Sequence, residues 1–228
     1  MRRLILFFLI TSSTLAFAQM EPQSKILPGS TDSLNKVNLS IWDIFQKRRS
    51  VRKFKPDIVP QEDIIKIIDA ARMAPTSGNQ QPWKFLIVTD KDKINEMKEA
   101  CIKRTVEYFK QNNQTPDSAK KEEITRVFDN YLSAPVYIII LTDNNSIYSS
   151  YNHWDGPLAA GYLLLAARAL GYGTVFITDA IPEDVTKQVF NIPDNYTRVC
   201  ITPVGIPVKW PETPKKKDLD EFIVNETF

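Results

Sequence analysis

The stretch PVYIIILT at 135–142 is apolar without interruption from residue 136 to residue 141. A strand with one wet face alternates apolar and polar side chains, because successive side chains point to opposite sides. A run with no alternation predicts a strand buried on both faces, so the chain must supply a covering layer above it and another below. The covers are visible elsewhere. Ile64, Ile65, Ile67, Ile68 and Ala71 recur at helical spacing within 61–73. GPLAAGYLLLAARAL, 156–170, is apolar nearly all round and predicts a buried helix closed by Gly171 and Gly173. Residues 91–111 and 118–133 mix charge with apolar positions at helical intervals, and 112–116 breaks them apart. Ser40 followed by Asp43 has the form of a helix cap, and that helix is expected to run to about Arg49. Further strands are predicted at 85–89, 174–178 and 198–204, with DLDEFIVNETF after Lys217 as a last one. Helices come first, then helices and strands mixed, which predicts an α+β fold. At 228 residues the chain fits one good-sized domain.

Three boundaries follow. MRRLILFFLITSSTLAFAQ starts with Arg2 and Arg3, continues with an apolar run and ends on Ala16-Phe17-Ala18, the pattern of a cleaved export signal. Residues 1–18 are therefore expected to be removed and the protein exported, in a bacterial setting to the periplasm. No stable membrane insertion is expected after cleavage, since the stretch is short and polar at 11–14. Residues 19–37 are polar and rich in Pro and Ser and are expected to be a flexible leader, with the single domain at 38–228. The two cysteines, Cys101 and Cys200, sit in a helix and a strand pattern and are expected to be buried thiols, with a bridge the alternative.

The inventory of reactive groups is narrow. His153 is the one histidine, so a Ser-His-acid hydrolase lacks its usual motif, and a zinc site lacks ligands. With seven glycines and no Walker loop or G-x-G-x-x-G, no glycine-rich cradle can hold a phosphate, so side-chain cations must hold any anionic ligand. The net charge of +2 argues against nucleic acid. The cations themselves are clustered, in KRRSVRKF at 47–54 and in PKKKD around Lys215, Lys216 and Lys217. Either run alone is an ordinary solvated face, although arginine forks with a serine hydroxyl also match phosphate geometry. Between helix and strand stands APTSGNQQPW, 74–83, unusually rich in neutral hydrogen-bonding groups. Trp83 opens the strand and is expected to pack in the core.

RRSVRKF, then APTSGNQQPWKF, then DGPLAAGYLLLAARALGYGT, then PVGIP followed by lysines, in that order over about residues 41–222, resembles the nitroreductase family. The resemblance implies a central mixed, mainly antiparallel sheet flanked by helices, in an intertwined homodimer with FMN at the interface. It implies that Arg48, Arg49 and Ser50 meet the phosphate and ribityl chain, and that Arg52 lies near flavin N1 and O2. A cation there stabilises the charge that collects on reduction. Pro75, Thr76, Ser77, Asn79 and Gln81 are implied to border the flavin held mainly by the partner subunit. Phe176, Ile177, Thr178 and Asp179 match the segment beneath the ring, whose backbone N–H faces N5. Thr178 and Asp179 stand where many members carry Gly or Glu-Gly, so a carboxylate is added beside the flavin. Lys215 and Lys217 match the late phosphate-binding positions, as point charges without the arginine fork.

The activity implied is an FMN-dependent oxidoreductase. NADH or NADPH passes hydride to flavin N5 and leaves, and a nitroaromatic or quinone takes its place, so no side chain acts as catalytic acid. Tyr108, Phe109, Phe128 and Tyr131, within 105–132, are the candidate aromatic lid over that small aromatic acceptor, and ordinary helix packing accounts for at least half of them. Export separates the protein from cytoplasmic nicotinamide. Two alternatives therefore stand beside the first: a flavoprotein reduced by a redox partner, and a non-catalytic FMN-binding dimer.

Overall fold

The computed structural model describes residues 39–227. The expected signal segment, the leader and the boundary at 37/38 lie outside the described residues. Four strands, β1 (Trp83–Val88), β2 (Val136–Asp143), β3 (Gly173–Thr174) and β4 (Tyr196–Gly205), form one sheet in the order β1-β2-β4-β3 with antiparallel neighbours. A parallel bridge between Ser50 and Thr174 makes it mixed, as the resemblance implied. β2 lies between β1 and β4 and is buried from its first residue to Thr142.

Both covers predicted for β2 are present. Helices α2 (Gln61–Ala71) and α5 (Asn152–Ala169) lay Ile64, Ile67, Ala160 and Leu163 on one face, against Ile138, Ile140 and Cys200. Helices α3 (Lys91–Gln111), α4 (Ser118–Tyr131) and α6 (Glu183–Phe190) cover the other, where Met97, Cys101, Phe128 and Val185 meet Tyr137, Ile139 and Ile201. Each fully buried isoleucine stabilises the fold by roughly 1.5–3 kcal/mol, so consecutive isoleucines facing opposite layers bind both layers to one strand. Cys101 and Cys200 lie in the two different layers, both unpaired, and burial pushes each thiol up to about 12.

Ladder pairing slips once. Ile140 faces Cys200 while Leu141 faces Arg198, so Val199 is an extra residue in β4. This bulge turns Val199 and Cys200 toward the α5 layer and sends Arg198 to the α6 side, where its guanidinium meets Thr186.

Four expectations need correction. Helix α1 (Ile41–Lys47) has the predicted cap, Ser40 and Asp43 bonding reciprocally, but it stops before Arg48, whose backbone is extended. The chain leaves the helix there to pair with Thr174, Val51 N–H donating to its carbonyl at 2.9 Å. The strand expected at 174–178 shrinks to Gly173 and Thr174, with a separate bridge at Ile177–Ile201, because the chain turns outward after Ile177. The tail predicted as a strand holds one short turn at Leu219–Glu221 and finds no strand partner among the described residues. Helix α5 is apolar all round yet not wholly covered, for Leu158 and Tyr162 remain exposed.

Candidate functional site

The segment 48–55 is a strap rather than a helix end. Ser50 and Val51 pair with Thr174, Lys55 N–H donates to Ile206 O at 2.8 Å, and Val208 N–H donates to Lys53 O at 3.1 Å. Val51 and Phe54 anchor it in the core, leaving Arg52 and Lys53 outside. It can approach this closely because residue 173 is glycine: a Cβ there would lie 2.8 Å from both Val51 Cβ and Pro207 Cγ. Arg49 donates from Nη1 to the carbonyls of Gln46 and Arg48, both at 2.6 Å, and from Nη2 to the Thr213 hydroxyl. That last bond draws the second cationic run alongside the first. Lys215 is exposed there, and Lys217 lies 3.3 Å from Glu221.

One cation of this cluster was missed from the sequence. Arg168, near the C-terminal end of α5, stacks on Trp210 with 3.8 Å from Cζ to the ring centroid. Burial lowers its proton affinity below the ordinary arginine value, and the neighbouring Arg49 charge adds to this. Arg49 and Arg168 each hold a buried Nε with no hydrogen-bond partner. Among the described residues no carboxylate forms an ion pair with Arg48, Arg49, Arg52 or Arg168. Like charges gathered without an acid, with orphaned donors, fit a phosphate.

Beside the strap runs the segment 176–179. Phe176, Thr178 and Asp179 face solvent. Ile177 does not: its side chain is in the core, and its N–H and carbonyl are both engaged by Ile201, at 3.1 and 3.0 Å. The Thr178 carbonyl accepts from Arg198 Nη2 at 2.7 Å, while the N–H groups of Thr178 and Asp179 make no hydrogen bond within the described residues.

The loop at 75–81 is built on a different plan. Asp155, 3 % exposed in the first turn of α5, accepts from Ser77 N–H at 3.1 Å, from the Ser77 hydroxyl at 3.4 Å and from Gln80 Nε2 at 2.8 Å. Gln80 also bridges to Tyr148, accepting its N–H at 2.9 Å and donating to its carbonyl at 3.1 Å. Gln81 N–H donates to the Thr76 hydroxyl at 3.2 Å. Gly78, Asn79 and Gln81 hold positive φ of 58°, 55° and 48°, and a Cβ at Gly78 would come 2.3 Å from the Tyr148 ring. Pro75, Asn79 and Gln81 are exposed at the tip, the two amides 3.1 Å apart. Trp83 packs beneath with Ala74 and Ala159, as expected. Gln80 and Asp155 escaped the sequence reading. The one signal for Asp155 was an acid opening an otherwise apolar helix.

Helix α5 measures the distance between these parts. Asp155 and Arg168 are 13 residues apart along one helix, about 20 Å at 1.5 Å per residue. A single chain thus presents the loop and the cationic grip near opposite ends of one helix. Along it Trp154, Leu158 and Tyr162 form an exposed apolar stripe at four-residue spacing, and Ile41, Trp42 and Phe45 of α1 are exposed as well. Of the lid aromatics, Phe128 is buried and Tyr131 packs against the core, whereas Tyr108 is exposed and Phe109 half-buried under Lys120, 5.5 Å from its ring.

Comparison with known proteins agrees with this architecture. The model of the nitroreductase family matches residues 45–206. An iodotyrosine deiodinase of Thermotoga neapolitana is 32% identical over 179 residues, covering 78% of this chain and 91% of its own. The crystal structure of an oxidized iodotyrosine deiodinase bound to FMN and 3-iodo-L-tyrosine superposes with a TM-score of 0.65 at 26% identity, over 83% of this chain and 100% of that one. An FMN-dependent nitroreductase of Clostridium difficile gives 0.61 at 26% identity, over 81% and 98%. By the family model and the Thermotoga neapolitana relative, the chain belongs to the nitroreductase family of flavoprotein oxidoreductases.

Proposed function

We propose that the protein is a homodimeric FMN-dependent reductase that takes an electron pair from NADH or NADPH and delivers it to a flat, electron-poor aromatic such as a nitroaromatic or a quinone. One observation carries this reading. A cationic cluster with orphaned arginine donors adjoins a segment with two free backbone N–H groups, so an anionic tail and a hydrogen-bonding ring edge can be held side by side. FMN supplies the two-electron carrier when bound. Arg48, Arg49, Ser50 and Lys215 hold its phosphate, and Arg168 adds charge behind them. Arg52 faces the ring edge that gains negative charge. Asp179 N–H faces N5.

The reading includes a second chain, because loop and grip lie about 20 Å apart along α5 of one chain. In this reading a twofold dimer buries the Trp154–Leu158–Tyr162 stripe against its copy, and the 75–81 loop of one chain meets the grip of the other. There Asn79 and Gln81 offer amides to the pyrimidine edge, and Pro75, Thr76 and Ser77 close the ring from water. Tyr108 is the part of the lid free to stack on an acceptor.

Purified protein reconstituted with FMN and titrated anaerobically with NADH and then NADPH, followed by flavin absorbance, tests the reading. The expected result is a yellow protein bleached by at least one nucleotide and recoloured by a nitroaromatic, by benzoquinone, or by 3-iodotyrosine, the ligand of a related structure. Failure to take up FMN would overturn it. The export pattern in residues 2–18 favours a second reading, in which a redox partner replaces the nucleotide. Bleaching by dithionite but by neither nucleotide is its signature, and a flavin that then reduces no acceptor marks a binding protein.

A further inference from the structure

Arg198 takes no part in the cationic grip; its contacts are Thr186 and the Thr178 carbonyl. The bulge at Val199 places it on the α6 side, under the 176–179 segment. Its Nη2 donates to Thr178 O at 2.7 Å and its Nη1 to the Thr186 hydroxyl at 2.9 Å, so the guanidinium ties that segment to α6. Its own N–H donates to Glu183 Oε1 at 3.1 Å, fixing the strand to the same helix. The head is half-buried. Burial pushes its proton affinity below the ordinary arginine value, opposed by the negative charge of Glu183 and, more weakly, of Asp179. No carboxylate contacts its side chain within ion-pair distance among the described residues, and its Nε is buried without a partner. A partly desolvated cation kept on a backbone carbonyl is a costly arrangement for mere packing.

Peptide geometry shows what it accomplishes. The chain has no cis bond among the described residues, and in a planar trans peptide the C=O and the following N–H point in opposite directions. Holding the Thr178 carbonyl down on the guanidinium therefore aims the Asp179 N–H outward, on the side where Phe176 and Thr178 expose their side chains. Arg198 also brings a positive charge beneath the one carboxylate of this segment.

We propose that Arg198 is a positioning residue for the cofactor, which orients the Asp179 N–H toward flavin N5 and offsets the Asp179 carboxylate at the ring. The inference rests on the FMN reading. It accounts for how Thr178 and Asp179 are compatible with a flavin where many members of the family carry Gly or Glu-Gly: the guanidinium fixes the Thr178 carbonyl and offsets the carboxylate.

The test measures FMN affinity, the flavin midpoint potential and backbone amide exchange on the full-length protein. Arg198→Met is expected to weaken FMN about tenfold. It should also weaken reduced relative to oxidised flavin a further tenfold, a fall of about 30 mV for a two-electron couple. Asp179→Asn alone should raise the potential by a similar amount, and the double variant should return it near the parent value. Simple structural damage would not be corrected by neutralising Asp179. Arg198→Lys keeps charge without the fork, so the potential should hold while the hydrogen-bonded amides of Ile177 and Ile201, next to the clamped carbonyl, exchange severalfold faster. If Arg198→Met does not fold, the Lys and Asn variants decide by these same readouts. An unchanged potential in Asp179→Asn together with unchanged exchange in Arg198→Lys would overturn the proposal. The exchange measurement needs no flavin. A parent protein that binds no FMN but shows the exchange change would sink the cofactor reading while leaving the clamp standing, and the reverse pattern would sink the clamp alone.

Discussion

The two ends of α5 solve opposite problems. At the N-terminal end, Asp155 gathers Ser77 and Gln80 so completely that the loop is held in a left-handed conformation by its own chain. At the C-terminal end, Arg168 and Arg49 lie together, and among the described residues no acid forms an ion pair with either. One end is preorganised before any ligand arrives; the other is charged for something to come. An uncompensated cationic end raises the free energy of the empty protein and returns that energy on binding an anion, while a rigid loop loses little entropy on contact. The contrast implies that affinity resides at the cationic end and shape recognition at the loop.

Five perturbations bear on this contrast. The largest effect is expected from Leu158→Arg, which places a charge in the middle of the exposed stripe and belongs to neither end. Burying it unpaired against its copy costs several kcal/mol, so sedimentation should show a monomer and the protein should be colourless. A yellow dimer would remove the stripe from the interface. Next is Arg48→Ala, which removes a charge-assisted contact worth about 2–3 kcal/mol and should weaken FMN roughly 30- to 100-fold, with thermal unfolding of the apoprotein nearly unchanged. Equal loss of fold and flavin would make Arg48 structural.

Asp155→Asn should act the other way round. Its new NH2 faces either Ser77 N–H or the Gln80 amide, donor against donor, so stability falls by about 1–3 kcal/mol and FMN binding by about tenfold. Raising salt separates the two ends further. It should weaken FMN in the parent and in Asp155→Asn alike, and somewhat less in Arg48→Ala, which has one cation fewer to screen. The smallest effect concerns α1. The Lys47 and Ser40 contacts hold the Asp43 carboxyl at about 2, below its ordinary 3.8. A depressed carboxyl contributes stability above 3.8, and that contribution disappears as pH falls through about 2. The thermal midpoints of the parent and Asp43→Asn should therefore differ slightly at neutral pH and converge at the acid end.

How much of this was legible depended on whether a signal was local. The central strand, its two covers and the Ser40–Asp43 cap are periodicities or short-range pairs, and the structure reproduces them. Helix α1 was overextended because arginines suit a helix end as well as a strap, and the pairing with Thr174 that settles the matter is over a hundred residues away. The tail was mistaken for a strand because Phe222, Ile223 and Val224 are strand formers in a row, while a strand needs a neighbour that no local pattern reveals. At the site, the arginine and lysine runs were readable as clusters. Arg168, Asp155, Gln80 and Arg198 were not, since each sits alone in an ordinary helix, loop or strand and gains its meaning from a contact across the fold. The bulge that aims Arg198 is one extra residue in a ten-residue strand, with no mark in the sequence.

The composite nature of the site is open to one direct measurement, the flavin content of mixed dimers. Chains carrying Arg48→Ala and chains carrying Asp155→Asn, each poor in FMN alone, are co-expressed with different tags, and the mixed dimer is isolated by both. If the grip of one chain meets the loop of the other, one site inherits both defects and the second is intact, so the mixed dimer should hold about one tightly bound FMN per two chains. If each flavin lay within a single chain, every site would stay defective, and a mixed dimer as pale as its parents would contradict the two-chain site.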